Sequence, residues 1–378
     1  MNKFFSLTML AVLLTGNFAC TAQKELIYMG SYTQRESKGI SLYEFNRSAL
    51  SFSLMQTVSD FTNPNFLAFH PQGGFLYAVY TAKKETGENV DAVAAFSLNK
   101  KDGTITAINQ VKGAGKGACH ISLDKTGKWL FVSYYTSGSL EVFSVGKDGS
   151  LGAAIQFIQH EGKGATPRQR GPNVHSSLVS PDNKFLYVAD LGTDKVNIYA
   201  IDHKTGMLSP ASQAFGVSNP GSGPRHFTFH PKNSMFYVAD EISSTLTVFD
   251  RNPSTGALTL VQSVSTLPEG FSGRNSVADI HTTPDGRFVY VTNRGHNSIA
   301  IFAIKEDGKV EFLAHEPVQG DHPRNFLVDP KGEILMVANQ MTDNVVVFKI
   351  DSTTGLLKYS GITLTVPAAV CLKWQLLK

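Results

Sequence analysis

The residues best suited to chemistry in this 378-residue chain are His175, Arg225, Glu241 and Arg294. An imidazole titrates near neutrality and serves as base and then acid. A carboxylate orients a partner or shares that role, and a guanidinium stays charged and offers paired donors to an anion. Such groups converging on a concave surface are the default choice for a site. Arginine is also poorly suited to an inner strand unless an anion or carboxylate meets it. His226, Arg324, Asn325 and Arg170 accompany them as candidates for substrate contacts. No metal is expected, because His120, His175, His226 and His281 fall in different segments without H-x-H or H-E-x-x-H spacing. Nothing resembles a nucleophile elbow, a phosphate loop or a dinucleotide fingerprint, which argues against serine-hydrolase and nucleotide chemistry.

A repeat must position these residues. Six copies of a strand-turn-strand pattern run along the chain: LAFHPQGGFLYAVY from Leu67, ISLDKTGKWLFVSY from Ile121, SLVSPDNKFLYVAD from Ser177, FTFHPKNSMFYVAD from Phe227, IHTTPDGRFVYVTN from Ile280 and FLVDPKGEILMVAN from Phe326. Anchored on Pro71, Lys125, Pro181, Pro231, Pro284 and Pro330, they recur at roughly 50 residues, the period of a propeller blade. A second pair of alternating segments follows each hairpin, so each unit supplies four strands. The N-terminus begins mid-pattern, with Leu26 to Tyr32 reading as a second strand, Gly39 to Phe45 as a third and Ser51 to Thr57 as a fourth. The apolar C-terminal segment Ala368 to Trp374 has the length to supply the missing inner strand and to leave no open edge. The expected fold is all-β: a single seven-bladed β-propeller of four-stranded antiparallel blades over residues 23–378, closed by pairing of the C-terminal strand with the N-terminal blade.

In each hairpin the start of the first strand and the end of the second lie at one edge of the sheet. These positions hold Asn65, His120, His175, Arg225 with His226, Asp279, and Arg324 with Asn325 on the first strands. The second strands end in Tyr80, Tyr134 with Tyr135, Asp190, Asp240 with Glu241, Asn293 with Arg294, and Asn339 with Gln340. Asp190, Asp240, Asn293 and Asn339 recur at one register, which points to turn chemistry and ties between blades. His175, Arg225, Glu241 and Arg294 depart from the repeat and cluster in three adjacent blades, which points to function. His203, His230, His296, His315 and His322 do not share the register and read as surface or turn residues.

The 33 glycines and 16 prolines suit the many tight turns of such a fold. A net charge of +3, with the basic residues scattered, is too small to argue for a nucleic-acid partner. The first 22 residues read as a secretory signal peptide: Met1 to Lys3 as a positive start, Phe4 to Leu14 as an apolar run too short to span a membrane, and Cys20-Thr21-Ala22 as the cleavage site. The rival reading is a lipoprotein anchored at Cys20, although Asn17 and Phe18 fit a lipobox poorly. Either processing places the mature protein outside the cytoplasm, periplasmic or secreted. The three cysteines follow no metal or redox spacing, and Cys119 and Cys371 fall on inner strands as packing residues. A closed ring has no need of a partner, so a monomer is expected.

Several motifs occur together: G-S-Y-T at Gly30 to Thr33 followed by Gly39-Ile40, N-P-N-F-L at Asn63 to Leu67, and N-V-H at Asn173 to His175. G-P-R-H at Gly223 to His226, V-A-D-E at Val238 to Glu241 and Y-V-T-N-R-G at Tyr290 to Gly295 follow in order. On these motifs the chain from about Leu26 onward resembles the β-propeller lactonase family, which includes bacterial 6-phosphogluconolactonases and fungal 3-carboxy-cis,cis-muconate lactonizing enzymes. The resemblance implies a site of one His, two Arg and one Glu at His175, Arg225, Glu241 and Arg294, the same four residues that break the repeat. It implies hydrolysis of a sugar lactone, 6-phosphogluconolactone to 6-phosphogluconate, with the arginines at the oxyanion and no cofactor. Either His175 or Glu241 is the base. The alternatives are a lactonizing cycloisomerase using the same groups, or a secreted propeller that binds a ligand without turnover.

Overall fold

The structure is a computed structural model that describes residues 23–377. The expected signal peptide, with Cys20, lies outside the described residues. Among the described residues, twenty-eight strands form seven four-stranded sheets, each a simple antiparallel meander. The inner strands are Thr62–Phe69, Ala118–Leu123, Val174–Val179, Pro224–Phe229, Ser276–Thr282, Pro323–Val328 and Ala369–Leu377. The last of these pairs antiparallel with the first strand of the chain, from Lys24 opposite Leu377 to Ser31 opposite Ala369. The two ends of the chain thus complete one blade and close the ring, as the repeat requires.

Burial explains the strand compositions. The second strand of a blade is covered on both faces by its neighbours, and Phe185–Asp190, Met235–Asp240 and Ile334–Asn339 are buried at every position. Such strands read as continuous apolar runs. Outer strands such as Leu357–Thr365 alternate toward solvent. The tyrosine of the F-[LV]-Y-V pattern supplies the tie between blades. Tyr28, Tyr77, Tyr187, Tyr237 and Tyr290 each donate a hydroxyl hydrogen bond to a glycine carbonyl, that of Gly103, Gly149, Gly256, Gly308 and Gly355 respectively. Each acceptor sits in the turn between the outer strands of the following blade. These glycines all have positive φ, 73° to 81°, a backbone shape that side chains disfavour.

Candidate active site

At the channel mouth each inner strand slips in register against its second strand. Ala118 pairs with Tyr134 and His120 with Ser133, leaving Cys119 unmatched. The same slip skips His175, Arg225 and Arg324, and in the closing blade Val370. In the remaining two blades the slip is longer and passes over Asn63 to Asn65 and over Ala278 with Asp279. A bulge frees one residue from the ladder and re-aims its side chain, which is why bulges occur beside active sites. Here Cys119, His175, Arg225, Arg324 and Val370 all line one small cavity together with Tyr32 and Asn65. This cavity adjoins a larger one of about 390 Å3, whose walls include Tyr135, Asp91, Glu241 and Arg294. Tyr32, Asn65, Cys119, His175 and Arg324 border both.

Glu241 is the hub of the larger cavity. Arg294 Nη2 donates to its Oε2 at 2.7 Å, and Arg168 Nη2 meets Oε1. Arg225 Nε stands 3.0 Å from Oε2, but its N–H is not aimed at the carboxylate, so this contact is one of charge. The guanidiniums are fixed from behind by carbonyls of the neighbouring inner strand. Arg225 Nη1 donates to Ala278 O at 2.5 Å, and Arg294 donates to Ser276 O at 3.2 Å and Val277 O at 3.0 Å. Burial alone would raise the Glu241 carboxyl, but the charges of Arg294, Arg225 and Arg168 overcome it and bring the pKa to about 2. Burial, then the charges of Arg294 and Arg324, lower Arg225 to about 9, so it stays charged at neutrality. Burial, then Arg225 and the other cations, hold the His175 imidazole well below its ordinary range, hence neutral.

The structure brings His175, Arg225, Glu241 and Arg294 together, with His226, Arg324 and Asn325 adjoining. Arg324 lies over the Tyr32 ring, 5.5 Å from its centroid. His226 and Asn325 both reach Asp279. Arg170 does not join them. It is exposed, and its Nε donates to Pro167 O at 3.2 Å, whereas Arg168, two residues earlier, reaches Glu241. Both arginines sit in a long connection without repeat register, so their sequence positions do not say which one turns inward. His322, read as a surface or turn residue, lies half-buried in the irregular connection just before Pro323–Val328, with φ of 65°. It is also electrically part of the site, because burial and the charges of Arg294, Arg324 and Arg225 lower it to about 4. Cys119 does more than pack, since it borders both cavities, and burial pushes its thiol up to about 12, so it remains a thiol.

The four recurrent polar residues hold turns. Asp190 accepts from the backbone N–H of Asn173 and Gly192 and contacts His160, and Asp240 accepts from Thr245 and Thr247. Asn293 and Asn339 donate to the carbonyls of Thr266 and Val318. Among the described residues no three His, Cys, Asp or Glu side chains are grouped to hold a metal ion.

Residues 26–374 match the family model described as "Lactonase, 7-bladed beta-propeller". The 6-phosphogluconolactonase of Bacillus subtilis is 35% identical over 353 residues, 93% of this chain and 98% of that protein. The 6-phosphogluconolactonase of Formosa agariphila is 35% identical over 339 residues, 88% of this chain and 94% of that protein. A solved structure of the periplasmic gluconolactonase of Pseudomonas aeruginosa superposes with a TM-score of 0.86 at 31% identity, covering 93% of this chain and 99% of that one. The chain belongs to the lactonase family of seven-bladed β-propellers.

Proposed function

We propose that the protein hydrolyses 6-phosphogluconolactone to 6-phosphogluconate by arginine-stabilised attack of water on the lactone carbonyl. One observation carries this reading. The guanidiniums of Arg168, Arg225 and Arg294 gather around Glu241, Arg324 lines the same cavity, and Asp91 is the further carboxylate in the wall. The surplus positive charge is suited to an anionic substrate and to an oxyanion that forms during reaction. In this scheme Arg225 and Arg294 face the tetrahedral oxyanion, and Arg324 with Arg168 holds the phosphate. A carboxylate held near pKa 2 by three cations is a poor proton acceptor at neutrality. Glu241 therefore orients the arginines, and proton transfer falls to an imidazole. The relatives named 6-phosphogluconolactonase support the substrate.

A second reading, unphosphorylated gluconolactone as substrate, is favoured by the signal-like N-terminus together with the likeness to a periplasmic gluconolactonase. The same two observations support export to the periplasm. Initial rates for the two lactones, each corrected for spontaneous opening, decide between the readings. A higher kcat/KM for the phosphorylated lactone supports the first, and the reverse preference supports the second.

A further inference from the structure

The smaller cavity has about 10 Å3 for the centre of a water molecule, room for one. Four of the residues lining it each carry a buried polar atom with no hydrogen-bond partner in the protein: Asn65 Oδ1, His175 Nδ1, Arg225 Nε and His226 Nε2. Buried polar groups are almost always paired, with ordered water where protein is lacking, and a buried water makes two to four hydrogen bonds. One donor, two acceptors and an imidazole nitrogen of either kind match the bonding capacity of one water.

The two imidazoles of this cavity are not equivalent. His226 Nδ1 lies 2.7 Å from Asp279 Oδ1, and both residues are buried. Asp279 is fixed in turn through Oδ2, which accepts from Asn325 Nδ2 and the Phe326 N–H and lies 3.1 Å from His281 Nε2. A carboxylate at Nδ1 places the proton there and leaves the lone pair on Nε2, the arrangement of a positioned base. His175 has no such partner, and its ring centroid lies 5.1 Å from that of His226. Burial, then the charge of Arg225, lowers His226 to about 4, so the imidazole is neutral at pH 7 with its Nε2 lone pair free.

We propose that the attacking water occupies the cavity between Asn65, His175, Arg225 and His226, and that His226, positioned by Asp279, is the general base. The role as base rests on the lactone hydrolysis proposed above; the water site does not. The water oxygen forms a bond to the carbonyl carbon while its proton passes to Nε2. The carbon–oxygen bond of the ring then breaks, and the imidazolium returns that proton to the departing alkoxide, giving the hydroxy acid.

The test is steady-state kinetics on 6-phosphogluconolactone, joined to a high-resolution crystal structure of the unsubstituted protein. His226→Gln is expected to lose roughly 100- to 10,000-fold in kcat with KM little changed. Asp279→Asn is expected to lower kcat in the same direction, again without raising KM, because the amide favours the wrong imidazole tautomer. His175→Gln is expected to lose less of kcat than His226→Gln, because His175 contacts the water without a carboxylate behind it. The crystal structure is expected to show an ordered water about 3 Å from His226 Nε2. A folded His226→Gln protein with undiminished kcat overturns the base, and so does a His175→Gln protein that alone loses kcat. A dry cavity, or one closed by a side chain, overturns the water site even if neither variant folds. If the unsubstituted protein opens neither lactone, lactone hydrolysis itself fails and the role as base falls with it, while the crystal structure still decides the water site.

Discussion

Glu241 and Arg294 are 53 residues apart in the chain, lie at the ends of the second strands of adjacent blades, Glu241 just past Asp240, and meet at 2.7 Å. Arg225, from the inner strand of the same blade as Glu241, approaches the same carboxylate oxygen at 3.0 Å. Two guanidiniums that would repel one another are thus held side by side by one buried anion. Removing that anion leaves buried cations uncompensated, which is far costlier than the net worth of the pair.

Glu241→Gln therefore separates a positioning role from a proton-transfer role. Activity is expected to fall through displacement of Arg225 and Arg294, while the acid limb of the kcat/KM profile stays where it was. A carboxylate with a pKa of about 2 is already charged throughout the working range. If the acid limb disappears in the variant, Glu241 is the titrating group after all.

Arg294 donates to two backbone carbonyls and a carboxylate at once, a geometry that a planar fork provides and a single ammonium does not. Arg294→Ala is expected to lower kcat/KM by roughly 100- to 1,000-fold, the range for loss of one oxyanion donor, with far-ultraviolet circular dichroism unchanged. Arg294→Lys is expected to recover little of that loss. Full recovery by lysine would show that only the charge matters.

Arg168 and Arg170 make an internal control. Arg168 meets Glu241, so Arg168→Ala is expected to raise KM for the phosphorylated lactone by more than for the unphosphorylated one. Arg170→Ala is expected to match the parent on both, since its guanidinium turns back to Pro167. Equal loss in the two variants would relocate the phosphate contact.

Asp240 has a consequence for stability. Burial, set against hydrogen bonds from Thr247 and Thr245, raises its pKa from 3.8 to about 7. The folded state therefore favours the neutral acid. Its contribution is fully present below the unfolded value near 3.8 and is lost as pH rises through about 7. The loss is on the order of a few kcal/mol. Thermal unfolding is expected to show Tm declining from about pH 4 to about pH 7, between the unfolded and folded values of this group, and levelling off above. Asp240→Asn is expected to flatten that decline and raise Tm at the alkaline end. Two other blades already carry asparagine at this register, Asn293 and Asn339. A steeper decline in the variant would mean that the charged form is the stabilised one.

The recurrence of the strand-turn-strand pattern determined the blade number, the ring closure and the edge of each sheet where polar side chains gather, because period-2 burial leaves its register in the residues themselves. The departures from the repeat marked His175, Arg225, Glu241 and Arg294 for the same reason. Three matters were settled only in three dimensions. The bulges that aim Cys119, His175, Arg225 and Arg324 inward each add one residue to a strand without disturbing its apolar pattern, so no periodicity records them. The choice of Arg168 over Arg170 depends on a connection outside the repeat. The protonation of Glu241, His175 and His226 is set by burial and by charges most of which the chain order keeps 50 or more residues away and the ring brings within contact, among them Arg294 on Glu241 and Asp279 on His226, with Arg225 the one close in sequence to Glu241 and His226. Electrostatic energy depends on distance and burial, and both are properties of the closed ring rather than of any segment within it.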